Sequence, residues 1–172
     1  LEEVFSGTHP LLLKAFSPMT VLFYILQALY SSTLDFSNEA LMAAEQGLSR
    51  LFKGMKVLAK LKPSGEPGEY VKDLVSKVSD AMNDNLNTPI ALSHLFDGIR
   101  LINAVKDGNE EISEAEKEEL ITLYNRIVIE VLGLKPERGE SRENAGLTKQ
   151  LIDLLLQYRI EAKDKKDFTA AD

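Results

Sequence analysis

The 172 residues contain no cysteine, no tryptophan and only two histidines, and aromatic side chains make up 7% of the chain. Without cysteine there is no disulfide frame, no thiolate nucleophile and no thiolate zinc site. Two histidines, His9 and His94, leave little for a histidine-built metal centre. Long apolar runs are missing too. The most apolar stretch, residues 19–30, is about one buried helix long and is interrupted by Gln27. It falls well short of the roughly 20 residues needed to cross a bilayer, so a membrane role is not expected. No basic leader precedes a small-residue cleavage site, and the start at Leu1 rather than methionine suggests a piece of something longer. There is no glycine-rich phosphate loop and no Ser-His-Asp arrangement. On its own chemistry the chain is not expected to be catalytic.

What is present is an apolar fraction of 44% and a net charge of −7, from 20 Lys and Arg against 27 Asp and Glu. A chain of this size can bury roughly 70% of its unfolded surface, enough for one domain or one domain plus an appendage. Its acidity argues against a general nucleic-acid coat and for a soluble intracellular protein. That acidity is local, however. Residues 107–143 hold 5 bases and 11 acids, and the remainder is close to neutral.

Helix punctuation recurs, whereas alternating strand patterns are scarce. Ser17-Pro18 reads as an N-cap with proline at the first helical position, opening a helix to about Tyr30. Ser37 caps a second helix, from Asn38 to about Leu61, which the following Lys62-Pro63-Ser64-Gly65 ends. Pro67 opens a third, with Tyr70, Leu74, Val78 and Met82 at near-helical spacing. Thr88-Pro89 repeats the cap-plus-proline signal before a helix that Asp107-Gly108-Asn109 stops. Ser113 and Glu116 form a capping box, followed by the apolar stripe Leu120, Tyr124, Ile127, Val128 and Val131 and a stop at Gly133. Residues 135–146 read as a long polar loop, and a last helical stretch runs from about Leu147. The fold class is all-α, an antiparallel helical bundle of about five to seven helices.

Between Gln46 and Gly65 there are five bases and no acid: Arg50, Lys53, Lys56, Lys60 and Lys62. At 100° per residue the first four span an arc of about 120°, a basic stripe on one helix face. It reads either as a solvated face balancing the acidic segment or as a phosphate-contacting face, since clustered Lys and Arg supply most sequence-independent nucleic-acid affinity. The acidic cluster Glu110, Glu111, Glu114, Glu116, Glu118 and Glu119 lacks the inward-facing Glu-x-x-His pattern of di-metal bundles and reads as solvated. His9, in a turn, and His94, beside Leu92, Leu95 and Phe96, have no ligand-like partners and read as structural.

Three stretches resemble the bacterial cysteinyl-tRNA synthetases. His9-Pro10-Leu11 through Ser17-Pro18 and on from Val21 to Leu41 is similar to the segment after that family's Lys-Met-Ser-Lys-Ser loop, which leads into a helical bundle of the DALR type. Asn85-Leu86-Asn87-Thr88-Pro89-Ile90-Ala91-Leu92 is similar to its Asp-Leu-Asn-Thr-Pro segment. Arg159-Ile160-Glu161-Ala162-Lys163 with Lys166-Asp167-Phe168 and Ala171-Asp172 looks like the stretch that opens its anticodon-binding domain. Together they bracket essentially the whole chain, in the right order.

The resemblance implies connector helices over 1–36, a DALR-type bundle over 37–146, and over 147–172 the last bundle helix with the truncated start of the anticodon domain. It implies an enzyme that activates cysteine with ATP, holds it on zinc and transfers it to tRNA-Cys. That enzyme would be cytoplasmic and monomeric, with its catalytic domain outside this chain and no cofactor within it. It further implies anticodon-loop contacts by Arg159, Lys163, Lys166, Asp167, Phe168 and Asp172. These types suit phosphates, base edges and stacking. Phe168 reads equally as a packing residue, and Arg159 as an ion-pair partner of a neighbouring turn. Leu22, Leu29 and Ser31 stand where the family usually has Arg, His and Arg, and Lys163 where it favours Arg, without the bidentate fork. Two other readings are a non-catalytic interaction module, with Leu12, Leu13 and Phe16 left partly exposed, and a related cysteine ligase that does not use tRNA.

Overall fold

Capping residues set most of the helix starts. In the computed structural model, which describes residues 2–8 and 12–136, six α-helices and one π-helical segment follow one another. They are α1 (Glu2–Ser6), α2 (Pro18–Leu26), α3 (Asn38–Lys60), α4 (Tyr70–Asn83), α5 (Thr88–Lys106) and α6 (Glu114–Tyr124), which runs into the π-helical Asn125–Val131. No strand occurs among the described residues, and the all-α class stands. The Ser17 hydroxyl accepts from the Thr20 N–H at 3.0 Å, and the Ser37 hydroxyl from the Ala40 N–H at 3.2 Å. Each satisfies an N–H that the helix itself leaves unpaired.

Three boundaries differ from the sequence expectation. The α5 cap is Asn87, whose side chain accepts from the Ile90 N–H, so Thr88 and Pro89 are already helical. Helix α2 stops at Leu26 rather than near Tyr30: Gln27 and Ala28 donate to Tyr24 and Ile25, which tightens the last turn. Tyr24 Oη then donates to the Asp35 carbonyl at 2.6 Å, tying the returning segment to the helix. Helix α4 starts at Tyr70 rather than Pro67, and just before it the Gly68 N–H donates to the Glu116 carboxylate at 3.0 Å.

The main core gathers buried faces from α2 to the π-helical segment, with Phe23, Leu51, Leu95, Ile102, Leu120 and Val128 fully enclosed. Each such side chain contributes about 1.5–3 kcal/mol through removal from water. Tyr124 is buried among them and donates its hydroxyl to the Leu95 carbonyl at 2.6 Å. Burial pushes its pKa up, so it stays a neutral donor. Two glycines permit the closest helix approaches. A Cβ on Gly54 would lie 2.8 Å from Ile99 Cγ2, and one on Gly98 would lie 2.5 Å from Tyr124 Oη and 2.9 Å from Leu74 Cδ2.

A smaller cluster forms at the N-terminal end. The Phe16 N–H donates to the Val4 carbonyl at 3.1 Å, laying the segment before α2 along α1. Phe16 is therefore buried, at 2% exposure, against Val21 and Leu41 rather than partly exposed. Leu12 is half-buried and Leu13 is exposed at 78%.

Candidate nucleic-acid interface

Helix α3 is amphipathic by its own sequence. Leu41, Ala44, Leu48, Leu51, Phe52, Gly54 and Leu58 are buried, while Arg50, Lys53, Lys56 and Lys60 are exposed. At 100° per residue the buried set centres opposite the basic set, so the stripe expected from the sequence is a solvent-facing ridge. From Arg50 to Lys60 it runs about 15 Å along the helix axis. Lys62 continues it, exposed, just past the helix end. Lys60 sits in the last turn, where the helix dipole favours positive charge.

Contacts with other elements shape the ridge. The Arg50 guanidinium lies over the Phe96 ring, 5.7 Å from its centroid, and Phe96 in turn meets Phe23 edge-on at 6.4 Å. Just before that same end Glu45, the last acid on α3, is taken by Lys14, with Nζ and Oε2 2.5 Å apart. No acid follows until Glu66. Local spacing carries no signal for these partners: Lys14 lies 31 residues from Glu45, and Phe96 reads only as a core residue.

The acidic segment divides. Glu110, Glu111, Glu114 and Glu118 are exposed and Glu119 is half-buried, in keeping with a solvated face. Glu116 is the exception, at 5% exposure. Its Oε2 accepts from the Ser113 N–H at 2.9 Å and the Ser113 hydroxyl at 2.8 Å, while Oε1 accepts from the Gly68 N–H. Burial alone would raise its pKa, but the hydrogen bonds from Ser113 and Gly68, with the charge of Lys72, hold it below the ordinary value.

Beside it lies an open cleft of about 520 Å³, lined by Glu66, Glu69, Asp97, Glu110 and Glu111, with Arg100 the cation in its wall. Arg100 is paired to Asp97, and His94 Nδ1 lies 3.5 Å from the same carboxylate. Such a lining repels phosphates, so among these surfaces the α3 ridge is the one suited to a polyanion. Among the described residues no group of three or more His, Asp or Glu is placed to hold a metal ion, and no helix is long and apolar enough to cross a membrane.

Of the residues flagged in the sequence, Arg50, Lys53, Lys56 and Lys60 come together on one surface. Arg159, Lys163, Lys166, Asp167, Phe168 and Asp172 lie outside the described residues, as does His9. Leu22 packs half-buried against the core, and Leu29 and Ser31 are exposed.

Comparison with known proteins adds an independent line. Residues 77–135, from midway along α4 through the π-helical segment, match the DALR domain. Over all 172 residues the chain is 46% identical to the cysteine–tRNA ligase of Bacteroides fragilis and 47% identical to that of Parabacteroides distasonis, covering 35% of each. It is 35% identical over 161 residues to the cysteine–tRNA ligase of Chlorobaculum tepidum, covering 33% of that protein. The chain thus spans about a third of the length of the curated relatives it matches.

Proposed function

This chain contains a DALR domain and is related along its whole length to the C-terminal part of cysteine–tRNA ligases, and from that kinship we propose that it is the anticodon-side helical region of such a ligase. The whole protein would attach cysteine to tRNA-Cys at the expense of ATP. The observation that supports this most strongly is the identity of 46% across all 172 residues. The basic ridge of α3 adds a physical reason: four exposed cations on one helix face attract a polyanion through its phosphates.

In this reading Arg50, Lys53, Lys56 and Lys60 contact the tRNA backbone. Arg159, Lys163, Lys166, Asp167, Phe168 and Asp172 meet the anticodon side. Residues 1–36 connect to the catalytic domain, 37–146 form the bundle, and 147–172 begin the anticodon module. In this reading ATP and zinc belong to the catalytic domain of the full-length ligase, outside this chain. The working enzyme would be a monomer in the cytoplasm.

The test is titration of a labelled tRNA-Cys transcript with the 172-residue chain at about 50 mM and 200 mM salt. Four phosphate contacts correspond to a loss of roughly 10²-fold in affinity across that range. Affinity that does not change with salt would sink the assignment of the ridge. In the full-length ligase, reversing Lys53, Lys56 and Lys60 to Glu is expected to lower kcat/KM for tRNA-Cys. Unchanged kcat/KM would remove these residues from the site.

A further inference from the structure

Helix α6 and its continuation bury Leu120, Leu123, Tyr124, Ile127 and Val128 along one side, and beyond Tyr124 the pitch changes. At about 100° per residue, an α-helix carried on from Tyr124 would bring Val131 to within about 20° of that side chain and turn Leu132 about 80° away. The structure has the opposite: Val131 is 52% exposed and Leu132 is 7% exposed. The difference is one residue, taken up by the π-helical Asn125–Val131. There the Leu132 N–H passes over Val128 and donates to the Ile127 carbonyl at 2.9 Å, and the Leu134 N–H donates to the Val128 carbonyl at 3.0 Å. Insertions of this kind are rare in helices and occur frequently at functional sites.

The other register is written in the same residues. Ile127-Val128-Ile129-Glu130-Val131-Leu132 is apolar at both 131 and 132, so a return to α pairing exchanges a buried leucine for a valine smaller by one methylene. The charges of the segment, Arg126 and Glu130, are both exposed, and in an α-helix they stand at the i,i+4 spacing where opposite charges attract. Its two ends are held unequally. Upstream, Tyr124 is fixed by its hydrogen bond to the Leu95 carbonyl. Downstream, Gly133 makes the stop with φ of 67°, and a Cβ there would meet nothing within 4 Å among the described residues. The Lys135 N–H then reaches the Met19 sulfur at 3.4 Å, a weak acceptor. Leu132 and Leu134, both buried, hold the present register, while Val131 stands ready for the alternative.

We propose that Asn125–Val131 is a two-register joint. A slip of one residue seats Val131 in place of Leu132 and turns the chain that follows by about 100°, with a shift of about 1.5 Å, while the bundle up to Tyr124 stays packed. Packed cores move between discrete arrangements rather than deforming continuously, and two apolar side chains in succession provide two such arrangements here. The joint lies at the end of the compact unit formed by residues 1–135, so the slip re-aims what comes next. A ligand that grips both the bundle and the chain beyond it selects the register it fits better.

The chain holds no cysteine, so a thiol introduced at one position reports alone. In the 172-residue chain carrying Val131→Cys, the thiol is exposed and reacts readily with a maleimide. Adding Leu132→Ala weakens the present register, buries the thiol and is expected to slow its labelling at least about tenfold. Thermal unfolding gives the second readout. Val131→Ala alone should leave Tm unchanged or raise it, because alanine is the better helix former at an exposed position. In the Leu132→Ala background the same substitution should lower Tm by roughly 2–4 °C, because Val131 is then a core residue. A helix with one register keeps Val131 on the surface in both backgrounds and gives no such reversal of sign. Circular dichroism checks folding, and the milder Leu132→Thr takes the place of Leu132→Ala if that variant does not fold. Labelling at position 131 that is as fast with Leu132 replaced as with it present overturns the proposal. So does a Val131→Ala effect on Tm that is the same in both backgrounds.

Discussion

Gly98 lies directly beneath the hydroxyl of Tyr124, so that a Cβ at position 98 would stand 2.5 Å from Tyr124 Oη. That hydroxyl is held in place by its hydrogen bond to the Leu95 carbonyl, one turn earlier on the same helix. Gly98→Ala would gain up to about 1 kcal/mol of helix propensity, but the overlap costs about 1–3 kcal/mol. The expected result is a net loss read as a lower Tm. Because the nearest obstructing atom is the hydroxyl, adding Tyr124→Phe should recover part of that loss. A double-mutant cycle with no coupling would show that the overlap is relieved elsewhere, for instance at Leu74.

Acid stability should depend on Glu116. Its carboxyl titrates below the ordinary value of 4.5 in the folded chain, since the Ser113 and Gly68 hydrogen bonds outweigh its burial. A depressed folded pKa means that the unfolded chain binds the proton first as pH falls. The stabilisation is therefore complete above about pH 4.5 and is lost as pH drops through the lower folded value. Glu116→Gln should flatten the acid limb of a stability–pH curve, and Ser113→Ala should cost about 0.5–2 kcal/mol near neutrality as a lost cap. Parallel acid limbs for wild type and Glu116→Gln would remove the carboxylate from this role.

Glu116 also shows where the sequence was legible and where it was not. Its capping box with Ser113 spans three residues and is written in local spacing, as are the caps at Ser17 and Ser37. Its grip on Gly68 joins residues 48 apart, and nothing in the spacing announced it. The burial of Phe16 is out of reach of local spacing for the same reason: its N–H bond to the Val4 carbonyl and its packing against Val21 and Leu41 are tertiary. The shift to π-helical pairing after Tyr124 left no mark in a pattern that fits 3.6 residues per turn. The α3 ridge was legible because helical period alone places its bases opposite its core. Its companions Phe96 and Lys14 arrive through tertiary packing and were not.

The turn between α4 and α5 offers a stabilising change. Asn85 and Leu86 both adopt left-handed backbone, with φ of 51° and 52°, and Leu86 is 64% exposed. Asn visits this region readily, but Leu pays about 1–2 kcal/mol there and buries little in return. Leu86→Asn should therefore raise Tm by a few degrees without altering the far-ultraviolet circular dichroism. A Tm that falls would mean that the Leu86 side chain packs usefully in the folded chain despite its exposure.

If the α3 ridge meets tRNA as proposed, Arg50 and Phe96 separate charge from orientation in that contact. Arg50→Ala removes one cation, so the plot of log affinity against log salt should lose about one unit of slope. Phe96→Leu keeps the cation and removes its seat: the slope should stay, and affinity should fall by about twofold because the guanidinium must then be ordered on binding. Arg50→Lys should behave like Phe96→Leu, since lysine retains the charge without the flat stacking face. Stability should change little in any of the three through this contact, as an exposed cation–π pair contributes about 0.5–1 kcal/mol. Phe96→Leu also alters the edge contact with Phe23, so its Tm is measured beside Arg50→Ala to subtract the core contribution. A salt slope reduced equally by Phe96→Leu and Arg50→Ala would mean that the ring governs whether Arg50 meets the phosphate at all. An unchanged slope in Arg50→Ala would take Arg50 out of the interface and leave the ridge to its lysines.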